Sequence, residues 1–333
     1  MAVARLAGVA SLADSAPDAR RENMMITSSR VLVFTLAAIL AFSASGAAIA
    51  AGPSAGSSGS GPSMPSGKQI DAQKRYADGV AALQAAKYKD AASAFQDVLS
   101  VSPKNGQVAF MLGVAQVGLE DWRNAQKSLT SAVKFAPDLP DAKSWLGAVD
   151  VKLGDAKKAA EQRTALQAMK DKCAGACADA AKIDAGLKRI DDVTANPAMK
   201  FSARETGVQL ATAEQGGGAY LAAYGLINEG KYESALGLLR TASLAAGPSA
   251  DVLTYQGFAS RKLGRYDAAV SYYASALDLA PDHRGANEYL GEYYVQIGDI
   301  GQAKAQLAKL EGICRFGCPE AEELRAWIMR GHA

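Results

Sequence analysis

The chain has only two histidines in 333 residues, His283 and His332. That scarcity leaves little room for a histidine-based triad or a histidine-rich metal site. His283 falls in the turn Pro281-Asp282-His283 and reads as an exposed turn residue. His332 lies at the carboxyl end, where chains are commonly poorly tied down. An excess of one charge is missing too. Lys and Arg number 36 against 34 Asp and Glu, a formal charge of +2. That balance argues against the clustered basic face that nucleic acid requires. There is no glycine-rich phosphate loop, because Gly216-Gly217-Gly218 follows no apolar strand. Proline is scarce inside the periodic segments, as helices demand. The adjacent carboxylates Asp191-Asp192 and Glu322-Glu323 read as solvated helix faces. The expectation is therefore a protein that is not an enzyme, with no catalytic residue, no cofactor and no resident metal.

The amino-terminal segment carries one apolar run, Val31 to Phe42. Arg30 precedes it, and small residues follow down to Ala48-Ile49-Ala50. A charged n-region, an apolar h-region and an A-x-A site in that order predict a signal peptide over residues 1–50, cut after Ala50. The true start is expected at Met24 or Met25. Uncleaved, Val31 to Ala51 is long enough to anchor the chain in a bilayer. The location implied is periplasmic or secreted. Residues 51–68 are mostly Gly, Ser and Pro, the composition of a flexible linker that cannot bury enough apolar surface to order itself.

What the chain does have is a beat of 34 residues. Gly79, Gly113 and Gly147 keep it, and so do Gly257 and Gly291. Ala91, Ala125 and Ala159 follow twelve residues behind the first set, and Ala269 and Ala303 behind the second. Pro103, Pro137 and Pro281 mark ends of units. A fixed period of this length is the signature of a helical repeat array. In the unit Ala72 to Asn105 the pattern predicts helices over 72–86 and 90–100, with Lys87-Tyr88-Lys89 as the turn. Phe95 and Val98 continue the apolar face, and Ser102-Pro103 ends the helix. Gly79 and Ala91 are expected to be small because another helix passes close to them. The units from Gly106 and Pro140 repeat the scheme. A second set runs from near Tyr220, through Ala250 to His283, and on from Arg284.

The array also looks duplicated. Each half holds about three repeats, then a Cys-x3-Cys, then one more helix. The expected division is a first lobe over 69–187, a linker over 188–218 and a second lobe over 219–330. Asn196-Pro197 and Gly216-Gly217-Gly218 suggest a break or hinge in the linker.

The pattern resembles the tetratricopeptide repeat family, most strongly over Val108 to Pro137 and Val252 to Pro281. The resemblance implies an all-α, right-handed solenoid of about six helix-turn-helix repeats in two lobes. It also implies a concave face lined by the first helix of each pair. Some members hold a chain-end carboxylate with a Lys/Asn/Arg clamp on those helices. Here the corresponding positions include Tyr76, Val80, Asp141 and Trp145, so that clamp is absent. The second lobe's first helices instead carry Tyr220, Tyr224, Tyr255, Phe258, Tyr289 and Tyr293. Aromatics are enriched at binding hot spots because they bring large area with few rotors. Glu288 and Glu292, four apart, make one end of this face acidic. Tyr220, Tyr224, Tyr255, Phe258, Glu288, Tyr289 and Glu292 are the candidate partner-binding residues. Packing between helices is the competing role for the rings.

Cys173 with Cys177 and Cys314 with Cys318 form two matched pairs behind a signal segment, which suggests disulfides. Cysteines four apart on a regular helix present their sulfurs poorly, so each pair needs a turn, and Gly175 and Gly317 supply the freedom for one. Cys318-Pro319-Glu320 looks like a helix start. Two other roles stand beside the staple: two thiolates holding a soft ion such as Cu(I), and a redox-active dithiol. Three functions follow: a non-catalytic scaffold binding a partner peptide or helix, an assembly or chaperone-like factor for envelope proteins, and a thiol-based metal or redox carrier. The expected partner is a protein or peptide and not nucleic acid. Contact with a membrane is expected only through an uncleaved signal segment, and self-association is possible.

Overall fold

The computed structural model describes residues 70–173, 177, 179–200 and 213–331. The expected signal segment, the Gly/Ser/Pro linker and His332 lie outside the described residues. So does the middle of the expected inter-lobe linker. Among the described residues there are fourteen helices and no strand. Three pairs open the array: α1 (Ala72–Gln84) with α2 (Tyr88–Val101), α3 (Gly106–Gly118) with α4 (Trp122–Phe135), and α5 (Pro140–Lys152) with α6 (Ala156–Cys173). A single helix, α7 (Ala180–Ala195), closes that set. The second set pairs α8 (Ala213–Asn228) with α9 (Tyr232–Ala246), α10 (Ala250–Lys262) with α11 (Tyr266–Leu279), and α12 (Arg284–Gln296) with α13 (Ile300–Ile313). It too ends in one extra helix, α14 (Pro319–Arg330).

Several of the helices start where the sequence supplies a side-chain acceptor. Asp71, Asn105, Asp121 and Asp299 each accept a hydrogen bond from the backbone N–H three residues on, satisfying donors that a helix start leaves unpaired. His283 does the same for α12. Its Nδ1 accepts from the Ala286 N–H at 3.0 Å and its Nε2 lies 2.9 Å from Asp251. It is therefore a part-buried capping residue and not the bare turn residue expected.

The 34-residue glycine beat records close approach. A Cβ on Gly79 would stand 2.8 Å from the Phe95 ring, on Gly113 2.6 Å from Leu129, and on Gly257 2.5 Å from Tyr273. In each case the filler is the large residue sixteen positions later, on the partner helix. The last repeat of each set has a different filler. Gly147 meets Ile190 of α7 and Gly291 meets Leu324 of α14. The single helices thus cover the face that a further repeat would cover.

Two expectations about the middle of the chain are corrected. Lys188 to Ala195 belongs to α7, and Gly216-Gly217-Gly218 lies within α8, which begins at Ala213 and not near Tyr220. Gly216 is buried there because a Cβ would stand 2.7 Å from Ala245 on α9.

The two sets are docked on each other. Every residue from Gly106 to Val117 of α3 is buried, and the side facing away from its own repeats is covered by the second set. Gln107 donates to the Arg240 carbonyl at 3.2 Å, the Tyr76 hydroxyl to the Leu244 carbonyl at 3.2 Å, and Ser275 to the Lys104 carbonyl at 2.6 Å. Leu253, Ala268, Tyr272 and Ala276 share one apolar core with Phe95, Phe110, Met111 and Trp145. At the centre, Arg240 is 1% exposed and paired with Asp138 and Asp179, while Tyr272 donates to Asp138 at 2.7 Å. The first helices of the first set therefore hold the second helices, α9 and α11, of the second set.

Cys173 and Cys177 stand at disulfide distance between α6 and α7, and Cys314 and Cys318 between α13 and α14, with Cα–Cα distances of 5.2 Å and 5.7 Å. Pro319 opens α14, as its sequence predicts. No described helix is long and apolar enough to cross a membrane.

Candidate functional site

With the first set's inner helices covered, the corresponding helices of the second set, α8, α10 and α12, present the open face. They are spaced by the 34-residue beat, so residues at equivalent positions line up across them. Tyr220 and Tyr224 of α8 meet Tyr255 of α10, with ring centroids 6.1 Å and 5.6 Å apart. Phe258, one turn further along α10, stacks obliquely on Tyr289 of α12 at 4.9 Å. The expected aromatic residues thus fall into two contacting groups, Tyr220 and Tyr224 with Tyr255, and Phe258 with Tyr289, while Tyr293 meets Tyr266 and Tyr294. Each is only partly covered, and Tyr224 is 46% exposed. Beside them Leu221 is 71% exposed. The rings pack on the core beneath α8 and α10 and also reach the surface.

The acidic end is more buried than its sequence suggests. Glu292 is 5% exposed and forms an ion pair with Arg261 of α10. The Arg261 guanidinium lies 5.6 Å from the Phe258 ring and 5.6 Å from the Trp327 ring of α14, a cation held between two aromatic faces. Glu288, one turn earlier on α12, is 9% exposed and forms no hydrogen bond or ion pair with any described residue. Burial, reinforced by the charges of Glu292, Glu320 and Glu323, pushes its pKa up to about 8. Burial likewise pushes Tyr255 up to about 12, and raises Glu292 against the opposing pull of Arg261.

Three contributors had not been expected from sequence. Arg261 lies one turn beyond Gly257 on the same helix, a position the repeat pattern could have supplied. Trp327 and the acidic start of α14 stand outside the 34-residue beat, so periodicity carries no signal for them. A second concavity of about 460 Å³ lies where the two sets meet. Asp138, Met169, Cys173, Cys177, Arg265 and Tyr266 are among its walls. Among the described residues no group of three or more His, Cys, Asp or Glu is placed to hold a metal ion.

Family models described as tetratricopeptide repeat match residues 76–117, 220–284 and 261–328, the same segments that fold as stacked helix pairs. The chain carries tetratricopeptide repeats. Repeats of this kind generally serve as non-catalytic scaffolds for protein–protein interaction, and the stacked helix pairs here have the architecture of an interaction scaffold. Its partner in that role is a protein. Comparison with curated proteins gives no match.

Among solved structures, the repeat protein is similar to the TPR2AB domain of yeast Sti1 in a pHSP90 complex, at 16% identity and a TM-score of 0.34. That match covers 78% of this chain and 97% of the other. It is also similar to a thermophilic TPR protein of Thermus thermophilus, at 22% identity and a TM-score of 0.28, over 67% of this chain and 99% of that one. The P58(IPK) TPR domain matches at 15% identity and a TM-score of 0.31, over 78% and 65% of the two chains.

Proposed function

We propose that this repeat protein is a non-catalytic scaffold of the bacterial periplasm. In this reading it holds an extended or helical segment of a partner protein on the face formed by α8, α10 and α12. The observation that carries the reading is an asymmetry between the two sets. The inner helices of the first are covered by the protein's own chain, whereas those of the second present partly exposed rings and Leu221. A preformed aromatic face lowers the ordering cost of binding, because the rigid partner loses little conformational entropy. The periplasmic assignment rests on the order of charged, apolar and small residues before Ala51 and on two cysteine pairs placed to bond within themselves.

The test is crosslinking in the envelope fraction from a photoreactive residue at position 221 or 224, followed by mass spectrometry. Stoichiometric capture of one or two proteins supports the reading, and crosslinks confined to the chain itself would sink it. Tyr224→Ala with Phe258→Ala should abolish capture while the far-ultraviolet circular dichroism stays helical.

A further inference from the structure

Along α12 and α14 stand five carboxylates, of which Glu322 pairs with Arg325 at 2.7 Å. Glu292 has Arg261, Glu320 has Arg284 at 3.6 Å, and Glu323 has Arg330 at 3.2 Å. Glu288 has no cation of its own among the described residues, although it is 91% buried, as 9% exposure implies. A buried carboxylate without a partner is costly, and a chain free to vary would relieve that cost unless something else supplies the charge.

The same face shows how it holds a cation. Arg261 has a carboxylate, Glu292, and two rings, Phe258 and Trp327. One helical turn earlier on each helix, Glu288 precedes Glu292 on α12 and Tyr255 precedes Phe258 on α10, while Tyr289 stacks on Phe258 at 4.9 Å. The Glu288 charge helps to raise the pKa of both tyrosines. Neither ring is fully buried. A carboxylate beside aromatic faces at the edge of an open groove is the chemistry that recognises a guanidinium or ammonium group.

We propose that Glu288, with Tyr255 and Tyr289, forms a recognition pocket for one arginine or lysine side chain of the partner protein. The proposal rests on the reading of α8, α10 and α12 as the partner surface and deepens it by stating the chemistry of the anchor. Charge complementarity selects the occupant, since the carboxylates of this corner are otherwise each matched by one cation. The groups facing Glu288 are Glu292 and Tyr289 on its own helix, Tyr255 and Arg261 on α10, and Glu320 and Glu323 on α14. Insertion of a cation favours the ionised form, so binding releases a proton while the free carboxyl is still protonated. Affinity for the cation therefore rises with pH and levels off near pH 8, where the free carboxyl titrates.

The experiment uses two blocked amino acids of nearly equal shape, N-acetyl-arginine amide and N-acetyl-citrulline amide, titrated into the full chain labelled with 13C at Glu carboxyl and Tyr ring positions. Arginine should shift the Glu288, Tyr255 and Tyr289 resonances saturably and bind about tenfold or more tightly than citrulline. The preference should grow between about pH 6 and about pH 8. Glu288→Gln should remove it. Equal binding of the two probes to the native chain overturns the proposal without reference to any variant, and so does a preference retained in Glu288→Gln. Crosslinking from position 224 separates this proposal from the reading beneath it. If a partner is still captured but arginine is not preferred, only the anchor chemistry falls. If arginine is preferred but no partner is captured, the anchor chemistry stands and the partner surface falls.

Discussion

Two glycines on equivalent helices have opposite roles, and substitution should separate them. Gly257 faces Tyr273 so closely that an added methyl would stand 2.5 Å from the ring. Gly257→Ala should destabilise by about 1–3 kcal/mol through overpacking, read as a lower urea midpoint. Gly225 is exposed inside α8 with nothing within 4 Å of a built Cβ. Gly225→Ala should stabilise by about 0.5–1 kcal/mol, the ordinary cost of a helical glycine removed, and so raise the midpoint. Glu288 carries a third expectation at this scale. Its folded pKa lies above the ordinary carboxyl value, at about 8, so the folded state binds more protons than the unfolded state between the two. Its contribution to stability is complete below the unfolded pKa and is lost as pH rises to about 8. Denaturation followed across that window should show stability falling with pH, and Glu288→Gln should flatten the slope.

At the scale of the helix pair, one position between the two helices adopts a positive φ in all six repeats. Ala86, Glu120 and Gly154 hold it in the first set, and Gly230, Gly264 and Gly298 in the second. These positions keep the 34-residue beat. Only Ala86 and Glu120 carry a Cβ there, at φ values of 55° and 56°, where a left-handed residue costs about 1–2 kcal/mol. Glu120→Gly should therefore stabilise the second pair, visible as slower amide exchange in α3 and α4. The array itself was legible in the sequence, because the glycine of a repeat recurs every 34 residues and in three repeats packs against a large residue sixteen positions later. Gly79 and Phe95 state the rule, and Gly113 and Leu129 repeat it. The middle of the chain misled for a local reason. Three consecutive glycines have the composition of a break, yet Gly216 sits in a helix because only a hydrogen fits against Ala245. Likewise, the close ring contacts of Tyr220, Tyr224 and Tyr255 follow from the beat, whereas Arg261's second ring comes from α14, which no repeat encodes. Cys314 and Cys318 stand at disulfide distance, where a bond would tie that last helix to α13. Replacing both with Ser should cost about 2 kcal/mol in the chain-entropy model, and exchange should quicken in α14 before it does in α12.

At the scale of the molecule, the docking of one set on the other could not be read from periodicity. Its contacts join residues such as Asp138 and Arg240, or Lys104 and Ser275, that are far apart in sequence and occur once. Arg240 is the place to test it. Arg240→Met leaves Asp138 and Asp179 buried without their cation and should cost about 3–5 kcal/mol. Small-angle scattering should show a larger radius of gyration with helicity retained. An unchanged radius together with an unchanged denaturation midpoint would refute the central role given to this pair.

The same docking makes the second set a tethered competitor. Being on the same chain, it faces the first set's inner helices at an effective concentration that dilution does not lower. Any free segment seeking that surface must outcompete it by mass action, so weak and abundant sequences are turned away and only a tight ligand gains entry. Binding at the first set's inner helices would thus require displacing the protein's own chain, whereas binding at α8, α10 and α12 would not.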